Sequence, residues 1–286
     1  MIASGFLLLA FLFSTHGNMP DIRHVGGANA SNTNDGSQNA PWATLAYAAS
    51  QVNPGSTVLV APGTYNESVT IKRSGTAGQP ITFRADPPRQ ALVQQFLVQG
   101  DYITLDGFEI TNTKTTYSGY GIKCGQVLYS NARTGCRIIN NYIHDLTDTA
   151  VYSGINATVS NNLIRNVDRG LFLDSGSTAV RNEVDTLIPV RNKTQYSFFI
   201  GDDISILGNY FHGTPMDKAK AHGVDFFTSY DSGDWFSSHR IQIEDNICFN
   251  AAHGCEPSGT ALRDSGPITF RNNLLVNTVY VGIYCK

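Results

Sequence analysis

Asparagine recurs in this chain at nearly regular intervals, each time in the same local setting. Asn141, Asn162, Asn182, Asn209, Asn246 and Asn273 each follow a short run rich in β-branched residues, with an apolar residue two positions later. After a variable turn, a Gly or Ala opens a second short strand. Four full copies are CRIINNYIHDLTDTAVYSG (136–154), ATVSNNLIRNVDRGLFLDSG (157–176), IQIEDNICFNAAHGCEPSG (241–259) and ITFRNNLLVNTVYVGIYCK (268–286). Weaker copies start at 103, 178 and 204. The asparagines are separated by 21, 20, 27, 37 and 27 residues. A unit of about 20 residues cannot enclose a core of its own, so its apolar face must be covered by the next unit.

The alternation within a unit identifies the stack. In the 157–176 copy, Val159, Ile164, Leu171 and Leu173 fall on one side, with Ser160, Arg165 and Phe172 on the other. Such short strands pair parallel to their counterparts about 4.8 Å away and bury the first set. The chain is therefore expected to be all-β, a parallel β-helix in which longer turns absorb the larger spacings. The asparagine at a fixed turn is expected to tolerate a left-handed backbone and to bond its counterparts through its amide. The segment 41–52, PWATLAYAASQV, carries Trp42, Leu45, Ala46, Ala49 and Val52 at helical spacing, and is read as a short N-terminal helix capping the open end.

Of the 286 residues 41% are apolar and 15% charged, with a formal net charge of -3 and no basic block. That balance argues against disorder and against a surface that neutralises nucleic-acid phosphates. Ile2 to Phe13 form an apolar run too short to span a bilayer, so residues 1–20 read as a secretory signal peptide. The mature chain, 21–286, is expected to be one domain, secreted or at the cell surface or in a periplasm, with no membrane insertion after cleavage. The sequence stops at Lys286 directly after a full repeat, which reads as a longer solenoid truncated at its C-terminus. Most of the five cysteines read as small buried residues, with a Cys248–Cys255 disulfide open to an exported protein.

The stretches SNTNDGSQNAPWATLAYAA, NPGSTVLVAPGTYNESVTI and SGTAGQPITFRA, between Asn32 and Ala85, resemble the opening of secreted bacterial right-handed β-helix proteins. The resemblance implies the fold and a polysaccharide ligand. It leaves activity open, because that fold carries pectate, alginate and chondroitin lyases, hydrolases, epimerases, tailspikes and non-catalytic adhesins.

Candidate site residues come from stacking the repeats. Aligning on the Gly of the second strand superposes H-G-V-D (222–225) on H-G-C-E (253–256). This predicts Asp225 and Glu256 about 5 Å apart on adjacent coils, with His222 and His253 stacked beside them. Two such carboxylates are expected to hold Ca²⁺ against a uronate carboxylate, with Lys218, Lys220 or Arg169 as the base of a lyase. In a hydrolase the same pair would act as acid and nucleophile. A non-catalytic glycan-binding module is the third reading. The insertions 213–221 and 228–239 flank the column, and Tyr230, Trp235 and Phe236 in the second are candidates for stacking on sugar rings.

Overall fold

The computed structural model describes residues 21–112, 119–125, 131–189, 194–230, 238–258 and 267–283, without the side chains of Tyr230, Glu256, Pro257, Ser258, Val281 and Ile283. Those residues wind into a parallel β-helix with three faces. Face one is a sheet of ten parallel strands running from Ile22–Val25 to Ile268–Arg271. Faces two and three belong to a second parallel sheet, whose longest strands, such as Tyr142–Tyr152, Leu163–Leu173 and Ile247–Ser258, bend from one face to the next.

Each corner has a chemical cause. Between faces one and two, the residue just before each repeated Asn takes the left-handed conformation: Asn140, Asn161, Arg181, Gly208, Asp245 and Asn272 have φ between 53° and 60°. The expectation that the repeated Asn itself would do so is corrected by one position. Its side chain has another task. The Oδ1 of Asn162 accepts from both the N–H and the Nδ2 of Asn141, at 3.0 Å each. The same double bond recurs from Asn162 to Asn182, Asn182 to Asn209, Asn209 to Asn246 and Asn246 to Asn273. Each Nδ2 also donates to a carbonyl one coil back, as Asn162 does to Ile138 at 2.9 Å. A second left-handed column, Asp145, Asn166, Thr186, Asn250 and Asn277, makes the bend between faces two and three. Asn and Asp bear this conformation at least cost among residues with a side chain.

The interior is apolar as the alternation predicts: Val159, Ile164, Leu171 and Leu173 are buried in one continuous core. Cys124, Cys136, Cys248 and Cys255 are buried, and Cys248 and Cys255 are not joined by the disulfide considered above. Burial raises the Cys124 and Cys248 thiols, holding them neutral. Helix α1 (Leu45–Gln51) lies at the N-terminal end, with its Leu45 and Ala46 amides donating to the Glu67 carboxylate. Ala46 points outward and Ala48 takes the buried place. Helix α2 (Met216–His222), unforeseen in the sequence, occupies the 213–221 insertion and packs on the strand Ile247–Ser258. Among the described residues no helix is long and apolar enough to cross a membrane. The expected signal segment lies outside the described residues.

The ladder sets a stability test. Asn162→Ala removes acceptors for two buried donors and should lower unfolding free energy by about 2–4 kcal/mol in a denaturant titration, since each orphaned buried group costs about 1–3 kcal/mol. A loss below about 0.5 kcal/mol would mean the ladder is not holding the coils.

Candidate functional site

Register along face three decides which side chains meet. The strands pair so that Gln195 lies beside Asp225 and Asp225 beside His253. Two steps along the same strands, Phe227 pairs with Cys255, and Glu256 stands opposite Thr228, not Asp225. The expected Asp225–Glu256 neighbourhood is thus corrected. The two are offset by three residues, about 10 Å along the strand. His222 and His253 do not stack either, because His222 ends helix α2 while His253 lies in a strand.

The two tetrapeptides look alike for different reasons. Gly223 is the C-cap of α2, left-handed at φ 58°, and a methyl group there would meet nothing within 4 Å. Gly254 is a close-approach glycine: a Cβ would fall 1.8 Å from the Gly282 carbonyl oxygen of the next coil. The first is needed for backbone conformation and the second for space.

The true register produces a contact the alignment missed. His253 Nδ1 lies 2.7 Å from Asp225 Oδ1. The other oxygen, Oδ2, accepts from Thr228 Oγ1 at 3.0 Å. The Asp225 side chain is 4% exposed and that of His253 26%. A buried carboxylate held on one ring nitrogen fixes the imidazole's orientation and favours the tautomer with the proton on Nδ1 and the lone pair on Nε2. The Tyr280 ring, 57% exposed, lies 5.4 Å from the His253 ring at 31°. That aromatic was missed; its signal was its place beside the Gly-opened strand of the last repeat.

The other expected residues fall elsewhere. Lys218 and Lys220 are exposed on α2, beside the His253 strand but making no bond to the pair. Arg169 shares the outward column with Gln195, Asp225 and His253, three coil steps from His253, or about 14 Å. Its Nε is buried without a hydrogen-bond partner. Tyr230 ends the strand Asp225–Tyr230 but its side chain is not described, and Trp235 and Phe236 lie outside the described residues. Both Asp225 oxygens accept hydrogen bonds, and among the described residues no group of three or more His, Cys, Asp or Glu could hold a metal ion. The Ca²⁺ expected between Asp225 and Glu256 therefore has no ready-made pair to bind.

A second outward column also departs from expectation. Thr70, Leu97, Lys123, Tyr152, Phe172, Phe198, Thr228 and Glu256 follow one another in register over eight coils. Tyr152, Phe172 and Phe198 stack at ring separations of 5.4 and 4.7 Å, and with Ile200 and Tyr120 form a small apolar cluster outside the coil. Burial and the nearby Asp148 carboxylate, in that order, raise the Tyr120 phenol. Behind this ladder Asp148 and Asp168, both buried, precede the register partners Thr149 and Arg169 on adjacent coils.

Residues 25–185, more than half of the chain, match the model described as Pel9A-like, right handed beta helix region. The chain belongs to the Pel9A-like right-handed β-helix family. The matched region includes Asp148, Asp168 and Arg169 and ends before Asp225 and His253. A 56-residue stretch is 46% identical to the uncharacterized protein YwoF of Bacillus subtilis (strain 168), covering 20% of this chain and 12% of that protein. Among solved structures, a rhamnogalacturonan lyase superposes with a TM-score of 0.58 at 13% identity, over 82% of this chain and 70% of that one. Pectate lyase Pel9A gives 0.53 at 16%, over 88% and 80%. The pectin methylesterase from Aspergillus niger gives 0.60 at 11%, over 89% and 85%. At these identities the likeness establishes the fold alone.

The two glycines supply the test of register. Gly223→Ala should cost about 1–2 kcal/mol, the penalty of a side chain at left-handed φ. Gly254→Ala should cost more, because a backbone carbonyl must move, and thermal melts of the two variants read the difference. Equal losses would restore the equivalence of the two tetrapeptides.

Proposed function

We propose that this protein cleaves an acidic, uronate-containing polysaccharide by β-elimination, with His253 as the base. The observation that carries this reading is the solvent-facing imidazole tied to a buried carboxylate beside an exposed aromatic ring. Family membership and the two lyases among the neighbours of similar fold support it.

In the proposed reaction His253 Nε2 takes the proton from the sugar carbon that bears the carboxylate. The electron pair left behind forms a carbon–carbon double bond as the bond to the departing glycosidic oxygen breaks, and water protonates that oxygen. Asp225 stabilises the imidazolium, as a buried partner carboxylate does in other His-based catalysis. Tyr280 offers a flat face to a sugar ring. Lys218 and Lys220, on the helix packed against the His253 strand, are proposed to meet the substrate carboxylate, whose neutralisation makes the neighbouring proton more acidic. Arg169, three coils away, serves a neighbouring sugar and takes no part in proton transfer. Ca²⁺ is a separate proposal for the same neutralisation, as is secretion to where such a polymer is found.

The hydrolase reading needs two carboxyl groups flanking one bond, about 5–9 Å apart. Asp225 is committed to His253 and Thr228, and Glu256 is offset along the strand, which disfavours that reading.

Purified protein incubated with pectate, alginate or chondroitin, with and without chelator, should yield products with unsaturated-sugar absorbance. New reducing ends without that absorbance would indicate a hydrolase, and binding without turnover a glycan-binding module. Loss of activity on chelation, restored by Ca²⁺, would add the metal. His253→Ala should lower turnover about 10²–10⁴-fold, the usual contribution of a positioned base, with partial rescue by added imidazole. Asp225→Asn should lower kcat while leaving KM little changed, whereas Tyr280→Ala should act mainly on KM.

A further inference from the structure

At the N-terminal end of the Lys123 column, a cavity of about 450 Å³ opens between the turns that leave face three. It is lined by Lys72, Lys123 and Arg133, with Gln99 and Asn131 beside them and no acidic residue among the described lining residues. Three different turns bring the cations together. Lys72 follows the strand Gly63–Ile71, and Lys123 ends the strand Ile122–Lys123. Arg133 is held opposite by its N–H to the Cys124 carbonyl at 2.8 Å and by its carbonyl to the Ile155 N–H at 2.9 Å.

Three converging positive charges repel one another, so the arrangement is favourable only when an anion joins it. Several arginines elsewhere are paired with acids. Arg84, Arg165, Arg240 and Arg271 each have a carboxylate within 3.0 Å. Lys72, Lys123 and Arg133 have no side-chain hydrogen bond or ion pair among the described residues. The Lys123 ammonium instead sits over the Tyr120 and Tyr152 rings, at 5.6 and 5.2 Å. Ring faces steady a cation without consuming its N–H donors. The planar Arg133 fork matches a carboxylate with two parallel hydrogen bonds.

We propose that this cavity is an anion subsite that takes a uronate carboxylate of an acidic polysaccharide strand. It lies on the face that carries the Asp225–His253 pair, five coil steps away, or about 24 Å, and so belongs to a remote part of the same polymer. The assignment shares the acidic-polymer class with the function proposed above and is independent of the elimination chemistry.

Isothermal titration of the full chain with a galacturonate oligomer, its methyl-esterified form and inorganic sulfate tests the assignment, with His253→Ala as the background to prevent cleavage. The charged oligomer should bind and its affinity should fall with rising salt. The Lys123→Gln, Arg133→Gln double variant should weaken it at least about tenfold, equivalent to one lost charge-assisted contact. The esterified oligomer should bind weakly and respond little to the same substitutions. Lys72→Gln is a milder variant at an exposed position, and circular dichroism checks that each variant is folded. Equal affinity for the two oligomers, an unchanged double variant, no binding of the charged oligomer, or sulfate binding as tightly as the oligomer would each overturn the assignment. Absence of unsaturated product with charge-dependent, Lys123- and Arg133-dependent binding intact would remove the lyase reading and leave the subsite standing.

Discussion

The double hydrogen bond from each repeated asparagine to the next sets the register on which the rest of the molecule depends. Burial alone forbids a slip of one residue, which would turn the apolar set outward, but a slip of two keeps it inward, and against that apolar packing is less selective. An amide is selective in a way that a methyl group is not. Its oxygen accepts two donors from the coil before, and its nitrogen donates to a backbone carbonyl of that same coil, so a shifted coil would bury unsatisfied groups. The turn that presents it needs a left-handed residue immediately before, which explains the Asn, Asp, Arg or Gly at that place.

Once register is fixed, position on a face becomes a matter of counting, and the outer surface is released from core duty. The inner columns hold the apolar mass, while outward positions on face three carry charges and rings in continuous rows. The N-terminal part of the Lys123 column ends at a cavity with three cations. The middle is closed by stacked aromatic rings over buried acids. Further along, the neighbouring column ends in an imidazole leaning on a carboxylate. A solenoid thus places distinct chemistries at defined intervals of one coil rise along a line, an arrangement suited to an extended polymer.

How much of this was legible depends on how local its cause is. Asn141 to Asn273, the buried set in the 157–176 coil and the outward placement of Phe172 follow from periodicity alone. Asp225 and His253 were singled out for pairings that do not occur: each stands beside the other instead of beside Glu256 and His222. Two glycines with different physical roles were treated as one landmark, which shifted that coil by three residues. The signal that could have prevented the error lay in MDKAKAH before Gly223, a short run of good helix formers ended by a left-handed cap.

The sequence by itself determined the repeat, the fold class and the inward and outward alternation. These are properties of neighbours along the chain, and the asparagine ladder extends them from coil to coil. Only the tertiary structure decided that Asp225 meets His253, that Asp148 and Asp168 are buried, and that Lys72, Lys123 and Arg133 line one cavity. The physical reason is insertion length. Coils of 20 to 37 residues share one rise, and the excess leaves through turns, so distance along the chain no longer measures distance along the stack.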